Sequence, residues 1–335
     1  MTRRTLRTFS AAVAATAAIA LALTGCSSNS AGGGGEAGGE SAGAVRMGTQ
    51  PWLGYGQWYV AEDQGYFADN TVDVKLSSFN ADADVNAALA ANKLDMANVG
   101  AQAALQFMEQ GVDVSIVLLL DSATEADAIL SSEKIGSVKE LKCKSVAFEK
   151  GATSEILLAE ALDDNGMSFD DVKVIESSAD KVTPMVLAGR VDAGVTYEPY
   201  VSEAIAADKG VRALVTAGDY PGLITDVLVV RNDFLDKHPD EVRSVIQSWD
   251  DAVAFTAEDP AKGREIIAKG VGSNVADLES AFDGVHYYTL AENRELLTGE
   301  YLTETLPALV TVAKRIGLIE GDVDAKRAIR SEYLS

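Results

Sequence analysis

Two short segments carry residue types suited to holding a small solute. Gly100-Ala101-Gln102 and Gly151-Ala152-Thr153-Ser154 each open a helical pattern, so their first backbone N–H groups lack intrahelical partners and favour anionic oxygens. Thr153 and Ser154 add hydroxyls, which serve equally as plain helix caps. Trp52 and Tyr55 offer flat faces for stacking, and Gly54 lies between them. A second set pulls the other way. Asp121, Asp127, Glu149, Glu198 and Asp226 bring negative charge with little Arg or Lys beside them. A carboxylate next to an aromatic ring suits an amine, an amidine or a pyrimidine. The residues leave both an anion and a nitrogen compound open, with a lean toward the latter.

Catalytic constellations are missing. There are two histidines. His238 precedes Pro239 at a helix start, and His286 stands alone in Val285-His286-Tyr287, so both read as structural. No His-Glu-x-x-His helix, Gly-x-Ser-x-Gly elbow or Walker loop occurs. The two cysteines, Cys26 and Cys143, cannot build a disulfide framework or a cysteine metal site. Neither metal nor cofactor is expected. Cys143 reads as a turn residue, although its flanking lysines would lower a thiol pKa. The formal charge of −23 speaks against nucleic acid, whose phosphates demand Lys and Arg.

The elements that must position these residues alternate. Strand-like runs at Val45–Thr49, Val72–Ser77, Met96–Val99 and Val114–Leu120 are separated by helical patterns at Gly56–Asp63, Asp82–Ala91 and Gly100–Gln110. The rhythm restarts with strands at Ser145–Phe148, Val172–Ile175, Ala193–Thr196, Val211–Val215 and Asp226–Val230. Helices are expected at Ser154–Asp164, Asp180–Ala188 and Pro199–Ala207. A helical tail follows: Asp240–Ala257, Pro260–Lys269, Val275–Phe282, Ala291–Ile316 broken near Pro307, and Asp324–Tyr333, with Asp240 and Asp259 as N-caps. The class is α/β, with parallel sheets covered on both faces. Ligands bind at the carboxyl ends of such strands. The loops there carry Trp52, Gly54 and Tyr55; Asn80 and Asp82; Gly100, Ala101 and Gln102; Asp121 and Ser122; Gly151, Thr153 and Ser154; Tyr197 and Glu198; and Asp226 on the return.

The N-terminus reads as an address. Arg3, Arg4 and Arg7 precede an apolar run from Phe9 to Leu23, then Leu23-Thr24-Gly25-Cys26. A charged start, a short apolar core and small residues before a cut describe a signal peptide over 1–25. The Leu-Thr-Gly-Cys order resembles a bacterial lipobox, which implies lipidation of Cys26 and two acyl chains, enough for stable anchoring to the outer face of the cell membrane. Residues 26–44, rich in Ser, Gly, Ala and Glu, read as a flexible tether.

Several stretches carry a family resemblance. They are Trp52-Leu53-Gly54-Tyr55 with Ala61-Glu62-Asp63-Gln64-Gly65-Tyr66-Phe67; Ala91 to Ala97; Asp121-Ser122 with Ala126-Asp127; Gly136 to Lys142 before Val146 to Gly151; Gly189-Arg190-Val191-Asp192-Ala193 leading to Tyr197-Glu198-Pro199; and Asn232 to Leu235 with His238-Pro239-Asp240. Their order resembles the nitrate/sulfonate/taurine and thiamine-precursor group of solute-binding proteins. Cys143 departs from the pattern where Gly is more usual. The resemblance implies a type II periplasmic-binding-protein fold, with two doubly wound sheets joined by a two-crossing hinge. Lobe one would be 45–121 plus 224–335, and lobe two 122–223. It also implies a monomer that hands a small solute to the permease and ATPase of an ABC importer by hinge closure. The alternatives are a sensor or structural lipoprotein, or an enzyme like those that make the thiamine pyrimidine, whose Cys-rich iron motif this chain lacks.

Overall fold

Short aliphatic runs form the strands, and most stop at a small or polar residue where the chain must turn. The computed structural model describes residues 43–207, 210–321, 323–324 and 327–335. The expected signal peptide, Cys26 and most of the tether lie outside the described residues. The first sheet contains β1 (Val45–Thr49), β2 (Val74–Ser78), β3 (Met96–Gly100), β4 (Val114–Ala123), β10 (Thr225–Arg231) and β11 (Val285–Tyr287). Its order is β11-β4-β10-β3-β1-β2. The second contains β5 (Asp127–Ser132), β6 (Ser145–Phe148), β7 (Lys173–Glu176), β8 (Ala193–Tyr197) and β9 (Val211–Thr216), ordered β7-β6-β8-β5-β9. The chain leaves the first sheet at the end of β4 and returns after β9.

Neither sheet is purely parallel, which corrects the sequence reading. β1, β2 and β3 are parallel, but β10 runs antiparallel between β3 and β4. Likewise β6, β7 and β8 are parallel, and β5 runs antiparallel between β8 and β9. The reversed strands follow the two crossings, because a strand that enters a sheet from its neighbour starts at the facing edge. Their N-terminal ends therefore lie beside the C-terminal ends of the parallel strands. Asp226 sits opposite both Gly100 and Asp121, and Asp127 opposite Tyr197. Each antiparallel strand thus delivers an aspartate to the edge where ligands bind in α/β sheets.

The tail differs from expectation in several places. β5 and β11 are strands where none was anticipated, and a short helix, Asn232–Lys237, precedes the long one. That long helix, Pro239–Glu258, starts at Pro239, so Asp240 lies in its first turn and is not the cap. Asp259 does cap, accepting from the Lys262 N–H. The expected break at Pro307 falls earlier, between Leu296 and Tyr301, because a proline is tolerated in the first turn of the helix Leu306–Arg315. In place of the helix expected over Asp324–Tyr333, residues 328–330 are not helical and a single turn follows at Ser331–Leu334.

That terminal segment satisfies an edge. The outer side of β4 needs partners for its backbone. β11 supplies them at Asp121–Ala123. Farther along, the Ile116 N–H donates to the Ala328 carbonyl at 2.7 Å, and the Arg330 N–H to the Ile116 carbonyl at 2.9 Å. Between the two, the Asn293 side chain takes over. Its Oδ1 accepts from the Leu119 N–H at 2.6 Å, and its Nδ2 donates to the Leu119 carbonyl at 3.0 Å. Asn293 is fully buried, so Asn293→Ala strands two backbone groups and is expected to cost about 3 kcal/mol. Urea denaturation of the variant checks this; a loss near zero would mean that water replaces the amide.

Cys143 has φ of 62° and is exposed. That left-handed backbone favours glycine, so Cys143 holds this turn at a backbone cost.

Candidate functional site

Residues from both sheets meet around one enclosed cavity, with Asp82, Asp226 and Gly100 on one side and Asp127, Thr153 and Tyr197 on the other; Gln50, Trp52 and Tyr55 complete it. The cavity is about 20 Å³, room for roughly one water. The lobes are thus closed on each other. Gly100 shows how tightly: a Cβ there would sit 2.7 Å from the Thr153 methyl of the opposite lobe. A wider hollow of about 710 Å³, lined by Met108, Asp113 and Arg327 among others, shares none of these side chains.

The aromatic wall is rigid. Trp52 and Tyr197 meet edge to face, with ring centroids 5.5 Å apart. Trp52 precedes a single tight turn, Leu53–Tyr55, which leads directly into the helix Gly56–Gln64. That helix is anchored by Trp58, whose indole N–H donates to Asn98 Oδ1 at 2.9 Å. The turn itself is held by the Tyr287 hydroxyl, which donates to the Leu53 carbonyl at 2.9 Å. Gly54 lines no part of the cavity. It lies behind it, where any Cβ would overlap both the Asp121 carboxylate and the Trp52 indole nitrogen.

The carboxylates dominate the electrostatics. Asp121, Asp127 and Asp226 are buried, and Asp82 is partly so. The Trp52 indole N–H donates to Asp121 Oδ2 at 3.4 Å. Asp121 and Asp226 are hydrogen-bonded to each other, and Asp226 also accepts from Tyr55 and Trp52. Asp127 accepts from Thr153, and Asp82 from the Gln50 amide. Burial pushes the Asp82, Asp121 and Asp127 carboxyls well above the usual range, and neighbouring carboxylates push them further. Burial raises Asp226 to about 7, against the pull of its three hydrogen bonds. No lysine or arginine lines the cavity.

The helix starts at Asp82 and Ala179, which the sequence did not single out as anion sites, are occupied. Glu149, at the end of β6, accepts from the Ala83 N–H of the first lobe at 3.2 Å and from the Ala179 N–H of the second at 3.4 Å. The protein's own carboxylate therefore occupies two helix starts. The Gly151 N–H is likewise taken, by Glu155 at 2.7 Å. Ser154 bonds back to the Glu149 backbone.

Other anticipated residues lie off the cavity. Asn80 is exposed. Ser122 pairs with His286 across the ladder and bonds Tyr288. Glu198 turns to the next helix, accepting from the Ser202 N–H and hydroxyl, both at 2.9 Å. Gly151 accepts at its carbonyl from Gln106 of the first lobe, at 2.8 Å. Ala101 and Gln102 are buried in the helix behind Gly100. Gln50 was not anticipated, although it is the first residue beyond β1 and so stands at a carboxyl end. Four buried polar atoms in this region lack partners: Gln50 Oε1, Gln102 Nε2, Asp121 Oδ1 and the Tyr197 hydroxyl.

Two mixed sheets, joined by two crossings and closed over a polar cavity, define a bilobal periplasmic-binding-protein fold of type II. The chain belongs to the NMT1/THI5 like family, whose sequence model matches residues 54–263. A Bacillus subtilis protein named for binding aliphatic sulfonates is 29% identical over 247 residues, covering 72% of each chain. The alkanesulfonate-binding protein SsuA of Xanthomonas axonopodis pv. citri, solved with MOPS, has a TM-score of 0.73 at 20% identity, covering 87% of this chain and 99% of its own. The periplasmic nitrate-binding protein NrtA of Synechocystis has a TM-score of 0.71 at 14% identity, covering 87% and 86%.

Proposed function

We propose that this protein is the extracytoplasmic solute-binding component of an ABC importer and not an enzyme. It is tethered to the outer face of the cell membrane through a lipidated Cys26 and acts with a permease and an ATPase. The observation that carries this reading is the cavity formed jointly by the two lobes. Asp226 and Gly100 reach it from one sheet, and Asp127 and Tyr197 from the other, so a bound solute would bridge the lobes and favour closure. The cavity is too small to hold a solute until the lobes open. The two crossings between the sheets are where the opening would occur, over 124–126 and 217–224. The names of the family relatives, which are binding proteins, support the same reading.

The mechanism follows. The open form exposes Trp52, Tyr55 and the carboxylates. The solute engages one lobe first, and the other closes when its residues add contacts, as a differential affinity for the closed state requires. The closed form is the one a permease would select.

A thermal-shift screen tests this, using nitrate, alkanesulfonates, taurine, pyrimidines, amidines and amines. A specific binder at about a hundred times its dissociation constant should add about 2.7 kcal/mol. Small-angle scattering should then show a smaller radius of gyration with that binder. A binder that leaves the scattering unchanged overturns capture by closure. A folded protein that binds none of these solutes overturns the solute-binding reading.

A further inference from the structure

The cavity has the wrong sign for the anions that its relatives are named for. Its lining holds Asp82, Asp127 and Asp226, with Asp121 directly behind, and includes no lysine or arginine. The charges acting on Asp82, Asp121 and Asp127 are those of other carboxylates. A sulfonate or nitrate placed here would find no cationic partner and would be repelled by each carboxylate that ionises, in a water-poor site. Helix N-termini offset that only in part: Glu149 takes the Ala83 and Ala179 N–H groups, which leaves the starts beside Gly100 and at Thr153 against three aspartates.

Two of the unpartnered atoms point the same way; Gln102 Nε2, an unpartnered donor, does not line the cavity. Gln50 Oε1 and Asp121 Oδ1 are buried acceptors with no donor, and Gln50 lines the cavity. The Tyr197 hydroxyl, also unpartnered, lines it too. Buried acceptors without donors are costly, so the site is complete only when something brings N–H groups to it. Trp52, Tyr55 and Tyr197 add ring faces, which attract cations. A metal ion does not fit, because among the described residues no three His, Cys, Asp or Glu side chains converge on a metal-holding geometry.

We infer that the solute is a compact organic nitrogen cation bearing N–H groups, an ammonium, amidinium or guanidinium, held between Asp226 of one lobe and Asp127 of the other. This inference rests on the solute-binding reading above. The cation would supply the donor that Gln50 lacks and favour the ionised form of the carboxyls around it. A quaternary ammonium offers charge without donors and would be a poor substitute.

Calorimetric titration of the purified protein tests it, with ethylammonium, acetamidinium and guanidinium at millimolar concentration against nitrate, ethanesulfonate and tetramethylammonium. At least one N–H cation should bind. Its affinity should drop by about tenfold or more in Asp127→Asn and in Asp226→Asn, the loss of one charge-assisted hydrogen bond. Both variants remove a buried charge, so both should fold. Binding of nitrate or ethanesulfonate, with no cation bound, overturns the inference and leaves the importer reading standing. Failure of every probe overturns both. Undiminished cation binding in both variants overturns the site assignment. Equal affinity for tetramethylammonium and ethylammonium overturns the requirement for donors.

Discussion

The unliganded protein is expected to lose stability as the pH rises from about 5 to about 8, by at least roughly 3 kcal/mol, the share of Asp226 alone. The sign comes from where the protons reside. Burial lifts the Asp226 carboxyl from 3.8 in an ordinary environment to about 7, so the folded protein keeps a proton that the unfolded chain has released. Raising the pH therefore favours unfolding, and the contribution is fully present below about 4 and lost as the pH passes 7. Glu198, raised by burial to about 7, adds to the same window. Asp82, Asp121 and Asp127, raised by burial and by neighbouring carboxylates, act in the same direction, and burial raises Tyr55 and Tyr197 beside them. Surface carboxylates with lowered values, such as Asp171 and Asp192, lose their contributions only in stronger acid. Urea denaturation at several pH values measures the slope. Asp226→Asn should flatten it by about one proton and stabilise the unliganded protein at the alkaline end. A flat profile in the parent protein would mean that water reaches these carboxylates in the folded state.

Gly54→Ala is expected to destabilise the protein by about 3 kcal/mol and to impair solute binding together with it. The added methyl would overlap the Asp121 carboxylate and the Trp52 indole, and neither can retreat easily. Trp52 is wedged against Tyr197, and Asp121 is hydrogen-bonded to Asp226. Gly65→Ala is the useful contrast. Gly65 has φ of 82° and open space around it, so its cost is the backbone penalty alone, about 1 kcal/mol, with binding intact. Equal effects at the two positions would show that Gly54 is a backbone requirement and not a spacer for the site.

These expectations share one cause. A site that concentrates carboxylates against aromatic rings weakens the empty protein, and the ligand that neutralises them restores what was lost. Stability given up at a functional site is a familiar trade. It also makes the bound and empty states differ strongly in energy, which a capture protein needs.

Much of this was legible in the sequence. Period-two and continuous apolar runs marked nine of the eleven strands found among the described residues, because burial of a strand face leaves a pattern in residue order. The position of Cys143 stood out as a departure from glycine, and the backbone there is left-handed. Carboxyl ends of strands drew attention to Trp52, Tyr55, Asp82, Gly100, Thr153 and Tyr197, and these line the cavity. What the sequence by itself determined was the α/β rhythm, the family resemblance and the charge available to the site. Only the tertiary structure decided that β5 and β10 run backwards, since strand direction depends on which edge the chain enters after each crossing. That reversal brings Asp127 and Asp226 face to face across the lobes. It also decided that Glu149 would spend its charge on two helix starts while Asp226 kept its own for the cavity. Residue order carries no record of such a choice, because hydrogen-bond partners far apart in the chain are set by packing.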